Sequence, residues 1–172
     1  MEYSHDTLRD LIASRSRGIF GVSCIALKEV RAIIEGELRR ADLVLVTEMS
    51  PYPYVRIVEV KTKGEDVWEA FRQLLWFKER GLANFYFTAL PKEVCDTYLH
   101  SYLDFYEENI GLIVIDAKPT HKGLGANVEV RVKPKFEMRK RDWEGLYREL
   151  EKRGKHKLVE RLRRTVGRTP VA

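Results

Sequence analysis

Apolar residues recur along this chain at two periods, helical and alternating, and the switches between them mark out its elements. Leu8, Leu11 and Ile12 share one face of a helix over 4–14, with Ser4 as its N-cap. Ile25 to Ile34 and Leu38 to Val46 are dense in Val, Ile and Leu and meet at Glu35-Gly36, the pattern of a β-hairpin. A loop, Met49-Ser50-Pro51-Tyr52-Pro53-Tyr54, leads to a third strand from Val55 to Lys61. Gly64-Glu65-Asp66 then puts acids in the first turn of a helix with Val67, Ala70, Phe71, Leu74 and Phe77 at helical spacing. Lys78 and Arg80 precede its terminal Gly81.

A strand is expected over 84–89, then a single helix entered at Pro91 and ended near Asn109-Ile110-Gly111. That helix carries Val94, Tyr98, Leu99, Tyr102 and Phe105. Strands follow over 112–116 and 128–132. The Gly-rich segment His121-Lys122-Gly123-Leu124-Gly125 between them lacks the Lys-Ser/Thr ending of a phosphate-binding loop and reads as a turn. Trp143, Leu146, Tyr147 and Leu150 mark a last helix broken at Gly154, with Leu158, Val159 and Leu162 beyond. The order α-β-β-β-α-β-α-β-β-α specifies an α/β fold, a mixed central sheet flanked by helices.

With 172 residues the chain is long enough to bury a core, and residues 1–135 read as that core, followed by a basic helical extension over 136–172 packed on or beside it. No stretch has the apolar length of a membrane span, and the N-terminal residues lack an apolar signal region. Cys24 and Cys95, far apart, suit a reduced, cytoplasmic protein better than a disulfide scaffold. His5, His100, His121 and His156 are too scattered for a structural zinc site. Residues 133–168 hold 14 Lys/Arg against 6 Asp/Glu, a local +8 on a chain whose total is +5. Such an arm suits a polyanionic partner, or the solvated face of an amphipathic helix.

Charge also appears where a strand would otherwise stay apolar. Asp42 lies within Arg39-Arg40-Ala41-Asp42-Leu43-Val44, and Val58-Glu59-Val60-Lys61 closes the third strand. Alternation puts Glu59 and Lys61 on one face. If Asp42 lies beside Glu59, their carboxylates and the Val60 carbonyl offer oxygen ligands of the kind Mg²⁺ prefers, with Lys61 alongside. A water held there is activated for attack on a phosphodiester. A two-residue turn at Glu35-Gly36 sets Glu29 opposite Asp42, so Glu29 is a further candidate acid, dependent on that register. Glu48, six residues past Asp42 and roughly 20 Å along a strand, is not expected to be a ligand. The plainer alternative is a set of surface ion pairs.

These residues resemble the PD-(D/E)xK nuclease superfamily, in its RecB-like and archaeal Holliday-junction-resolvase-like branch. Asp42 matches the first acid, with Ala41 where proline is common, and Glu59 and Lys61 match the second acid and the lysine. Gln73, the only glutamine of the chain, matches the glutamine of the following helix, while Phe77 stands where that branch tends to place tyrosine. The element order over 20–116 follows the superfamily core. The resemblance implies a restriction-endonuclease-like fold and a Mg²⁺-dependent DNA nuclease of repair, recombination or restriction, with Mn²⁺ able to substitute. It also implies a homodimer for relatives that make two cuts. A glutamate in the first helix is frequent in the superfamily; Glu2, Asp6, Asp10 and Glu29 are the acids available for that place.

Nucleic-acid contacts are expected from Arg39, Arg40, Arg56 and Lys63 near the site and from Arg139, Lys140 and Arg141 in the extension. Tyr52 and Tyr54 read either as base-stacking groups or as a rigid exposed turn. A non-catalytic nucleic-acid-binding module that keeps the nuclease fold is the alternative function, and an RNA-processing nuclease is a third.

Overall fold

The computed structural model describes residues 3–48, 52–121 and 123–170. One six-stranded sheet runs in sequence order: β1 (Ile25–Ile34), β2 (Glu37–Thr47), β3 (Tyr54–Val60), β4 (Phe85–Pro91), β5 (Gly111–Thr120) and β6 (Gly123–Val132). The pairs β1–β2, β2–β3 and β5–β6 are antiparallel, whereas β3–β4 and β4–β5 are parallel. Parallel neighbours need crossovers, and helices supply them: α3 (Val67–Glu79) joins β3 to β4, and α4 (Lys92–Tyr98) with α5 (Leu103–Glu108) joins β4 to β5. The expected α/β architecture is present.

The sheet divides the core in two. On one face α1 (His5–Ser14) packs Leu8, Leu11 and Ile12 against Leu43, Val58, Val60 and Ile113. Ser4 caps this helix, accepting from the Thr7 amide. A short α2 (Ser16–Phe20), which hydrophobic periodicity does not announce, follows it. On the other face lie α3, α4 and α5, together with α6 (Glu144–Lys152) and α7 (His156–Thr165). Leu146, Tyr147, Leu150, Leu158 and Leu162 of the extension join the same buried cluster as Val44, Ile57 and Leu74 of the core.

Two expectations are corrected here. The single helix over 91–109 is two helices, because Leu99 is extended (φ −105°, ψ 103°) at the end of α4 and Tyr102 restarts the chain into α5. Leu99 and Phe105 are both buried, so their helical spacing is met by two short pieces on one surface. Tyr52 is neither base-stacking nor exposed: it is 9% exposed, its hydroxyl donates to the Arg168 carbonyl at 2.5 Å, and its ring packs with Tyr54 and Phe136.

Candidate metal centre

The hairpin pairs Ile34 with Glu37, and this register holds through Val30–Ala41 and Lys28–Leu43. Between those last two pairs both strands change face. Leu27 and Val30, three residues apart, bury in the same cluster, as do Ala41 and Val44. Glu29 takes a left-handed conformation there, with φ 51°. The step that would have set Glu29 against Asp42 is thus the point where the ladder rotates. The Glu29 carboxylate faces outward and lies 3.8 Å from Arg9 Nη1, and it is not brought to the acidic pair. Its expected role as a further ligand is corrected by this local rotation, which a count along the strands does not reveal.

Asp42 gains from the same rotation. Its Oδ2 accepts the Val60 amide at 2.9 Å, and its own amide donates to Glu59 Oε1 at 3.3 Å. The side chains therefore stand in for main-chain ladder bonds, locking Asp42 to the Glu59-Val60 segment. Glu59 is 3% exposed. Burial pushes its carboxyl well above the ordinary carboxylate range, and the charge of Asp42 pushes it further. The Asp42 amide and the Gln73 side chain act the other way, more weakly.

Lys61 and Gln73 complete the arrangement from the α3 side. Lys61 Nζ donates to Glu69 Oε1 at 3.2 Å and lies 3.9 Å from Glu65 Oε2. Glu65 in turn accepts from the amide and hydroxyl of Thr62, at 2.9 and 2.8 Å, and fixes the turn that leaves β3. Gln73 donates through Nε2 to the Arg40 carbonyl at 2.8 Å, which ties α3 to β2 two residues before Asp42. Asp42, Glu59, Lys61 and Gln73, read from three separate stretches of sequence, converge.

The residue that sequence reasoning missed is His5. It opens α1 on the opposite face of the sheet, and its Nε2 lies 3.1 Å from Asp42 Oδ2. Burial lowers its pKa, but the charge and hydrogen bond of Asp42 outweigh that, with Asp6 and Glu65 helping, and the net shift is upward. A separation of 37 residues and the absence of a local motif left no signal for this contact. Glu2 lies outside the described residues. Among the described residues, no group of three or more His, Cys, Asp or Glu side chains is arranged to hold an ion.

The expected nucleic-acid contacts separate by environment. Arg39 is held by Glu37 at 2.6 Å and lies over Trp76, near Gln73, and Arg40 is exposed. Arg56 points to the other sheet face from Glu59. It sits between Phe20 and Phe85 and donates to Thr47 Oγ1 at 2.7 Å, so it does not flank the site. Arg139 is fully buried, donating to Tyr147 Oη at 3.1 Å and to the Leu162 carbonyl, and has no face to offer a phosphate. Lys140 is exposed and Arg141 half-buried beside Trp143.

No family model matches the chain, and no curated protein does. Among solved structures the chain is similar to a protein of unknown function from Silicibacter pomeroyi, at 14% identity over 94% of this chain and 91% of that one, with a TM-score of 0.50. It is also similar to an XisH family protein from Nostoc punctiforme (15% identity, 63% and 88% of the two chains, TM-score 0.45). A third is a fdxN element excision controlling factor protein from Anabaena variabilis (14%, 64% and 91%, TM-score 0.47). The first likeness, which spans nearly the whole chain, is a likeness of fold alone. That fold is the mixed α/β sheet described above, in the element order expected of a restriction-endonuclease-like core.

Proposed function

We propose that this protein is a metal-dependent nuclease that hydrolyses DNA phosphodiester bonds. The observation that carries the reading is the locked pair of Asp42 and Glu59, two carboxylates in contact with Lys61 and Gln73 beside them. A buried acid pressed against a second acid is an electrostatic deficit that a divalent cation relieves. Mg²⁺ needs only one or two carboxylates and keeps its waters, so Asp42 and Glu59, with the Val60 carbonyl, fit it. When bound it supplies Lewis-acid stabilisation of the phosphate and a more acidic water.

The side chains of the chain do the rest. Lys61, released from Glu69 as substrate arrives, holds a non-bridging phosphate oxygen or the attacking water. Gln73 keeps α3 against β2, and His5 keeps Asp42 turned toward Val60 through its hydrogen bond to Oδ2. Arg39 and Arg40 stand on the strand that leads into Asp42 and contact flanking phosphates.

The test is cleavage of supercoiled, linear, single-stranded and four-way-junction DNA, and a matching RNA set, in Mg²⁺ or Mn²⁺. Asp42→Ala and Glu59→Gln are expected to lose about 10²-fold or more in rate. His5→Ala is expected to lose roughly 10- to 100-fold, with His5→Gln retaining a donor and recovering part of it. Parent protein that leaves every substrate intact at micromolar concentration, or carboxylate variants that cut as well as the parent, would falsify the proposal. Binding that persists in EDTA without any cleavage would instead favour a nucleic-acid-binding module.

A further inference from the structure

Immediately past Lys61 the chain enters a second feature that the acidic pair does not use. Thr62 and Lys63 line a cleft of about 380 Å³ at the carboxyl ends of the parallel strands β3, β4 and β5, between α1 and α4. Ligands of open α/β sheets bind at such strand ends. Lys63 is two residues beyond Lys61, at most about 7 Å when extended, so the cleft adjoins the proposed metal centre.

The chemistry of its walls is mixed in a way that selects an occupant. Leu8, Pro91, Ile115 and Ala117 give an apolar surface. Lys63 from the loop after β3, Lys92 of α4 and Lys118 of β5 bring three positive charges, but Glu93, Asp96 and Asp116 match them. Lys118 lies 3.9 Å from Asp116. A bare phosphate or other purely anionic ligand gains little from a lining whose charges cancel. A unit with a flat apolar face, amino and carbonyl edges and one phosphate uses all of it. The Tyr3 hydroxyl, buried at the cleft with no partner, is a further polar group awaiting one.

We propose that this cleft is the subsite for the nucleoside next to the scissile phosphate, and that the substrate therefore presents an unpaired nucleotide. This rests on the nuclease reading of the adjoining site. The apolar walls take the base, the acids accept its amino protons, and the lysines at the rim hold the connecting phosphate. The volume admits one nucleoside, and in an intact duplex the bases stay stacked out of reach. Single strands, frayed ends and flaps are the substrates that fit; uninterrupted duplex is not.

The test is binding in EDTA, where no cleavage occurs, of a single-stranded oligonucleotide carrying 2-aminopurine and of the same sequence as blunt duplex. The parent is expected to quench the single-stranded probe and to bind it more tightly than the duplex. Ala117→Phe, which fills the cleft, and Lys92→Ala, an exposed change that leaves packing intact, are each expected to weaken single-strand binding by roughly tenfold, the lower part of what a stacked base contributes. Duplex binding is expected to stay unchanged in both. Equal affinity for the two probes, or single-strand binding untouched by Lys92→Ala and by a folded Ala117→Phe, overturns the subsite. Failure of the nuclease reading looks different: binding and its sensitivity to these variants persist, but no substrate is cut in Mg²⁺ or Mn²⁺.

Discussion

Glu59 is the residue on which stability and chemistry meet, because it is buried, acidic and pressed against another acid. In the unfolded chain it ionises in the ordinary carboxylate range, near 4.5, but in the folded protein only well above that. Between the two values the folded state holds a proton that the unfolded state has released. Stability therefore falls as pH rises through this window, and the loss is complete once the folded carboxyl has ionised. His5, also raised, acts with the same sign: its contribution is full below about 6.5 and fades as pH rises through its folded value. Melting curves from pH 4.5 to 8 in EDTA are expected to slope downward, and Glu59→Gln to remove the Glu59 part of the slope. Excess Mg²⁺ binds the ionised form and is expected to flatten the curve in the parent alone. A pH-independent melting temperature in EDTA would count against a pressed, protonated Glu59. Asp42, Glu59 and Lys61 were legible because they set charge within or at the close of apolar strands, and Gln73 because it matches the glutamine that the resemblance places on the following helix. His5 and the outward Glu29 were not, since one depends on packing across the sheet and the other on a single left-handed residue.

Among the elements, β1 is one of the two edge strands of the sheet, and a strand edge invites pairing with other chains. Helix α6 covers part of it. Trp143 Nε1 donates to the Arg31 carbonyl at 2.7 Å, and Gly145, in the first turn of α6, sits directly over the same carbonyl. A methyl group at 145 would fall inside the van der Waals radius of that oxygen, which is main chain and cannot swing aside. Gly145→Ala is therefore expected to push α6 off β1 and to destabilise the protein by about 1–3 kcal/mol, despite the better helix propensity of alanine. Thermal melting reads the loss. Unchanged stability would mean that α6 is not seated on β1 as described. Strand and helix identities were legible from period and turns, with Ser4 capping α1 as its position suggests, whereas Asp66, expected in the first turn of α3, is its N-cap. The break at Leu99 was not, because Val94, Leu99 and Phe105 are buried in the same cluster on both sides of it.

At the scale of the molecule, the basic extension belongs to the core that it follows. Arg139, the largest of the fully buried side chains, reaches Tyr147 of α6 and Leu162 and Thr165 of α7, while the Gly167 amide returns to its carbonyl at 2.6 Å. Tyr52 ties the same segment to the loop before β3. The surplus charge therefore sits on a fixed surface, and exposed Arg153 and Lys157 present it. Lys155, between them, pairs at 2.7 Å with Glu48, which lies six residues beyond Asp42. That distance is roughly 20 Å along an extended strand. Nucleic acid held at the acidic pair meets this surface only when it is long enough to span it, about six nucleotide steps at 3.4 Å each. Arg153→Glu with Lys157→Glu is thus expected to leave folding and the binding of very short oligonucleotides unchanged. Longer DNA is expected to bind more weakly, and its salt slope to fall by about one for each phosphate no longer neutralised. Titrations across a length series at several salt concentrations read both effects. Equal weakening at every length would place the basic surface beside the acidic pair instead, and no weakening at any length would leave it a solvated face.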